Sequence, residues 1–118
     1  MRPIDDTVLS EMTQRLVQQF QPEQVILFGS YAWGAPDRFS DVDLMVIVSQ
    51  TDLSDHERAV LAHTVLSEVD VPKDIVVRTR AEFDFFREVQ ASLEHRIARR
   101  GKVLYERGQK TTGAKLAH

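Results

Sequence analysis

The stretch Gly29-Ser30-Tyr31-Ala32-Trp33-Gly34-Ala35-Pro36-Asp37-Arg38-Phe39-Ser40-Asp41-Val42-Asp43-Leu44 decides how this chain is read. Just before it, Val25-Ile26-Leu27-Phe28 is a short apolar run stopped by a glycine, the pattern of a buried strand. At its far end, Asp41 and Asp43 head a second apolar, β-branched run that reaches Val48. Side chains on a strand alternate between faces. Asp41 and Asp43 therefore point to one side, and Val42, Leu44, Val46 and Val48 to the other. Two like charges side by side destabilise a strand unless something positive sits between them, and a divalent metal is the simplest candidate. Oxygen ligands alone, with no cysteine and no nearby paired histidine, favour Mg2+ or Mn2+ over zinc. The plain alternative is a polar strand end wetted by solvent.

Working outward, Asp74 opens a third apolar run, Ile75-Val76-Val77, after a Pro-Lys turn. If that strand lies beside the second, Asp74 joins the pair from the next backbone. Three carboxylates on adjacent strand heads can hold two metal ions about 4 Å apart, the arrangement used for in-line phosphoryl displacement. Gly29-Ser30 supplies the complement. Glycine lets backbone approach a ligand closely. Freed N–H groups where a helix starts can receive a phosphate, and Ser30 adds a hydroxyl. Gly-Ser after a strand is also a common turn; its weight comes from its fixed distance to Asp41 and Asp43.

The rest of the chain supplies a frame. Asp5 and Asp6 cap a first helix whose apolar stripe is Val8, Leu9, Met12, Leu16 and Phe20, with Pro22 ending it. Residues 30–36 read as a short helix or turn closed by Gly34 and Pro36. Ser54-Asp55-His56-Glu57 has capping-box spacing and starts a helix to about Val69, with Val60, Leu61, Val65 and Val69 inward. Thr79-Arg80-Ala81-Glu82 is a second capping box, opening one or two helices that run to about Arg100. In that segment Phe83 and Phe86 suit core packing, and Phe85 faces elsewhere, as a partner surface would. Gly101 stops the helix and Val103-Leu104-Tyr105 forms an edge strand. The alternation of helices and strands implies an α+β (α/β layered) domain, a small mixed sheet of 3–4 strands flanked by helices. Residues 1–106 are the domain; residues 107–118, aperiodic and without acidic residues, read as a flexible C-terminal tail.

Composition narrows the function. The 118 residues allow one domain. Fifteen Lys+Arg against eighteen Asp+Glu give a net charge of −3, which argues against a groove tracking long nucleic acid. The absence of cysteine excludes disulfides, thiolate-bound zinc and thiol nucleophiles. No apolar run approaches the ~20 residues of a membrane span. The polar start Met1-Arg2-Pro3-Ile4-Asp5-Asp6 is unlike a signal peptide, so a cytoplasmic location is expected. His56, His63, His95 and His118 show no ligand spacing among themselves.

Gly29-Ser30, ten residues, then Asp41-Val42-Asp43 resembles the signature of the nucleotidyltransferase superfamily that includes polymerase beta. The Ser40-to-Leu44 run, Asp74 and the ending Gly101-Lys102-Val103-Leu104-Tyr105-Glu106 make it look like a minimal nucleotidyltransferase over about residues 5–106. The resemblance implies that Gly29 and Ser30 grip the triphosphate of a nucleoside triphosphate, ATP above all. It implies that Asp41 and Asp43 bind two Mg2+ ions. Asp74 would bind the metal near the acceptor and act as, or beside, the base that activates its hydroxyl. The catalysis would come from positioning and charge neutralisation. Many relatives carry Ala-Arg-Gly where this chain has Ala32-Trp33-Gly34, and Arg38 in the same loop is the candidate replacement cation. Arg78, at i+4 from Asp74, is a second candidate or a surface ion-pair member; Lys73 reads as a turn lysine. Trp33 stacks on a base or partner, or packs half-buried. Arg96, Arg99, Arg100 and Lys102 suit a helix C-terminus electrostatically.

Three functions follow from the resemblance. The first is transfer of AMP to a hydroxyl of a partner protein, the antitoxin of a HEPN-type (higher-eukaryote and prokaryote nucleotide-binding) RNase toxin. With no second domain expected, the acceptor is brought by a partner or by another subunit, in a homo- or hetero-oligomer. The second is nucleotidylation of an aminoglycoside-like small molecule. The third is a non-catalytic antitoxin acting by contact alone, against which three converging carboxylates argue.

Overall fold

The computed structural model describes residues 3–37 and 40–108. Helix α1 (Asp6–Phe20) is capped by Asp5, whose side chain accepts from the Val8 N–H. It ends where Gln21 turns left-handed, just before Pro22. Strand β1 (Gln24–Phe28) leads through Gly29 into the one-turn helix α2 (Ser30–Trp33). Strand β2 (Val42–Val48), helix α3 (Asp55–Val65), strand β3 (Lys73–Thr79), helices α4 (Arg80–Phe86) and α5 (Leu93–Arg100), and strand β4 (Lys102–Glu106) complete the chain. Both expected capping boxes form: Ser54 with Glu57 on α3, and Thr79 with Glu82 on α4. Among the described residues no helix is long and apolar enough to cross a membrane.

The four strands make one mixed sheet in the order β3-β2-β1-β4. β1 runs antiparallel to both β2 and β4. β2 and β3 are parallel, as the helical crossover α3 between them requires. Alternation along the strands sorts the core in two. One face carries Val42, Leu44, Val46, Val48, Ile75 and Val77, packed with Val8, Met12 and Leu16 of α1 and Ala62 of α3. The other face carries Ile26, Phe28, Met45 and Ile47, covered by Phe83 of α4 and Ile97 of α5. Helix α4 begins where β3 ends, so this second layer leaves the heads of β2 and β3 uncovered.

Two details of the expected core are corrected. Helix α3 ends at Val65 rather than near Val69, and Val60 is 51% exposed. The buried positions within α3 are Arg58 and Ala62, while Val65 packs half-buried against the core and Val69, just past the helix, is fully buried as expected. Arg58 lies on the inward side. It is 7% exposed, donates to the Leu53 carbonyl (3.0 Å) and the Val77 carbonyl (3.4 Å), and pairs with Glu82 at 2.8 Å. A buried guanidinium must be satisfied, and these partners lie on that side. Second, Phe86 is 42% exposed instead of buried, because the short helix α4 ends at that residue, leaving Phe83 alone inside. Phe86 packs edge-on to Phe85, ring centroids 5.0 Å apart.

Of the expected tail, Arg107 donates its N–H to the Glu23 carbonyl (2.8 Å). Residues 109–118 lie outside the described residues.

Candidate active site

The sheet register brings the carboxylates and the glycine corner together. Asp43 pairs with Asp74 across the parallel β2–β3 ladder and with Phe28 across the antiparallel β1–β2 ladder. The Val42 N–H donates to the Pro72 carbonyl (2.9 Å), fixing the two strand heads side by side. Asp43 shares its face with Met45 and Ile47, and Asp74 shares that face with Val76. Gly29 follows Phe28 directly, so it stands beside the Asp43 side chain. A Cβ at Gly29 would collide with Asp43 Oδ2 and sit 3.0 Å from its Cγ. Gly29 also has φ 76° and ψ −158°, a conformation that only glycine adopts freely. Here the glycine is required twice over, by backbone and by space. The first turn of α2 leaves N–H groups without intrahelical acceptors next to this carboxylate.

Electrostatics follow from that packing. Asp43 is half-buried, Asp41 and Asp74 are exposed. Burial pushes the Asp43 carboxyl up from its ordinary 3.8 to about 6, and the charges of Asp74 and then Asp41 push it the same way. Among the described residues, no three His, Cys, Asp or Glu side chains are already gathered as a metal cage. The donor set nonetheless fits a hard divalent cation. It is made of carboxylate oxygens alone, and burial together with the charges of Asp74 and Asp41 penalises the ionised form of its central member.

The cations singled out near Asp74 do not turn to it. Lys73 donates to the Val69 (3.0 Å) and Val71 (3.3 Å) carbonyls, closing its own turn. Arg78 pairs with Glu94 at 3.2 Å, the ion pair expected as its alternative. Arg38 lies outside the described residues. Trp33 is half-buried, its ring 6.1 Å from that of Phe28. Two arginines of α5 lie over it: the guanidinium carbon of Arg100 at 5.5 Å and that of Arg96 at 6.0 Å from the ring centre. Sequence reasoning placed them at a helix end for its dipole. The contact joins residues 67 positions apart, and no local pattern announces it.

A mixed sheet with helices on both faces and an acidic pair beside a Gly-Ser corner defines a nucleotidyltransferase fold. The profile of the family described as "Polymerase beta, Nucleotidyltransferase" matches residues 10–110, and the chain belongs to this family. A protein of Methanocaldococcus jannaschii named "Putative protein adenylyltransferase" is 36% identical over 66 residues. That match takes in 54% of this chain and 42% of the archaeal protein, so the chain spans less than half of that relative. In three dimensions the chain is similar to the crystal structure of a "putative nucleotidyltransferase" from Sulfolobus solfataricus. The TM-score is 0.64 with 16% identity, over 91% of this chain and 85% of that one. It is also similar to a crystal structure of a toxin-antitoxin with AMP-PNP. There the TM-score is 0.55 with 23% identity, over 90% and 77% of the two chains. A mutant of the toxin-antitoxin MntA-HpeT gives a TM-score of 0.55 at 21% identity, with the same coverage. At these identities the structural likenesses speak to the fold.

Proposed function

We propose that this nucleotidyltransferase transfers AMP from ATP to a hydroxyl of a partner protein, with Asp41, Asp43 and Asp74 as its divalent-cation ligands. The observation that carries the reading is the pairing of Asp43 with Asp74 beside Gly29. The Gly29-Ser30 corner receives the polyphosphate, with Ser30 contributing its hydroxyl and the first N–H groups of α2 their partial positive charge. Asp41, Asp43 and Asp74 would hold two Mg2+ ions, which when bound would supply positive charge against the phosphate oxygens and the attacking oxygen. The acceptor oxygen attacks the α-phosphorus. A P–O bond forms to the acceptor, the bond to the bridging oxygen breaks, and pyrophosphate leaves. The acceptor's proton passes to the Asp74 carboxylate, the exposed member of the pair and the one open to an incoming chain. We assign Arg38, three positions before Asp41 in the sequence, as a further phosphate ligand.

A protein acceptor is supported by the name of the archaeal relative and by the exposed Phe85, Phe86, Val89 and Leu93 around the α4–α5 turn. The two toxin-antitoxin structures sharing the fold point to a toxin as that protein, and we assign it to the HEPN class. The test is incubation with labelled ATP, Mg2+ and the product of the neighbouring gene. Label on that protein, lost in Asp41→Asn and Asp43→Asn, is the expected result. Label on an aminoglycoside-like compound instead makes the chain a small-molecule enzyme. Inhibition of the toxin that survives both substitutions makes it a binding antitoxin and ends the catalytic assignment.

A further inference from the structure

Arg96 and Arg100 are i and i+4 on α5 and share one face of the helix. Both lie over Trp33, and Arg100 also donates to the Trp33 carbonyl at 3.1 Å. Five other arginines of the fold are neutralised. Arg15, Arg58, Arg78, Arg80 and Arg87 each have a carboxylate within ion-pair distance. Among the described residues Arg96 and Arg100 have none, and both are exposed. Two like charges are thus collected on one ring, a costly arrangement that a multivalent anion would relieve. The ring reaches the acidic corner through Phe28. Trp33 packs 6.1 Å from Phe28, and Phe28 is one strand spacing, about 4.8 Å, from Asp43. Phe28 and Trp33 lie on the face of the sheet that Asp43 shares, and Arg96 and Arg100 meet it through Trp33.

We propose that Arg96 and Arg100, held on Trp33, form the binding site for the terminal phosphates of the nucleoside triphosphate. The inference rests on the nucleotidyl-transfer reading above and deepens it. A polyphosphate brought to an acidic corner needs countercharge. Among the described residues Lys73 donates within its own turn and Arg78 pairs with Glu94, while Arg96 and Arg100 converge on one ring with no carboxylate partner. The planar guanidinium fork suits phosphate oxygens, and stacking on Trp33 orders both forks beforehand. The leaving pyrophosphate would be gripped here while the α-phosphate stays at Asp43.

Trp33 is the only tryptophan, so its emission reports on the site without any turnover. Titrations with ATP, inorganic tripolyphosphate and AMP, with Mg2+, should give saturable changes for the first two and a far weaker response to AMP. R96A/R100A should raise the Kd for ATP and tripolyphosphate at least tenfold. R96K/R100K, which keeps the charge but not the fork, should fall between. R99A, an exposed neighbour without ring contact, should stay within twofold of the wild type. In transfer assays R96A/R100A should raise KM for ATP far more than it lowers kcat, whereas D43N should abolish kcat. A double variant that binds ATP and tripolyphosphate as the parent does overturns the proposal while leaving the transfer reading standing. A parent protein that binds no ATP overturns both.

Discussion

Replacing Asp43 by asparagine should make the metal-free protein more stable at neutral pH, although the same change should abolish transfer. Asp43 binds its proton more tightly folded than unfolded, because burial and the charges of Asp74 and Asp41 raise it from 3.8 to about 6. Over that window the native state holds more protons than the unfolded chain, so stability falls as pH rises from about 4 through about 6. The full difference corresponds to about 3 kcal/mol. Asp43 is half in contact with water, and solvent screening reduces this to about 1 kcal/mol. In a domain of this size that is about 3–5 °C in Tm. The assay is thermal unfolding of wild type and D43N in chelator, at about pH 7.5 and again near pH 4. The variant should be the more stable at the higher pH, with the gap closing at the lower. Adding Mg2+ to about ten times its Kd should then raise the wild type by about 1.4 kcal/mol and leave D43N nearly unmoved. A D43N protein less stable than its parent at neutral pH without cation, or one that responds equally to Mg2+, would refute the reasoning.

Gly29→Ala should cost about 2 kcal/mol or more, because the backbone stays in a glycine-only region and the new methyl displaces the Asp43 carboxylate. Urea unfolding measures the first effect, and a fall in transfer of about a hundredfold the second. Arg58→Ala should destabilise by about 3 kcal/mol in the same urea assay, since it leaves the Leu53 and Val77 carbonyls and Glu82 without their donor. Ser54→Ala removes one half of a capping box and should cost about 1 kcal/mol, with transfer unchanged. Phe85→Ser and Phe86→Ser together should leave Tm within about 2 °C, both rings being exposed, and should weaken labelling of the protein acceptor.

Much of the scaffold was legible because it is written in local rules. Ser54-Glu57 and Thr79-Glu82 announce helix starts, since the side chains that satisfy the first N–H groups must sit at those positions. The apolar alternation from Val42 to Val48 assigned one face of β2 to the larger core, and the opposite phase put Asp43 with Met45 and Ile47. Val60 misled, because helical spacing counts apolar residues, whereas the position of a charge such as Arg58 is decided by acceptors 19 and 24 residues away. The Trp33 platform was hidden for the same reason: its arginines come from a helix that follows only after two further strands along the chain.

The chain by itself determined the elements, their inward faces on the sheet, and the composition of the acidic corner, because periodicity, caps and glycine act through neighbours along the backbone. Only the tertiary structure decided that β3 lies parallel to β2 with Asp74 level with Asp43, that Gly29 abuts that carboxylate, and that Arg96 and Arg100 converge on Trp33. Those relations depend on strand register and helix docking, which minimise exposed apolar area and unmet charge over the whole fold rather than within any window of residues.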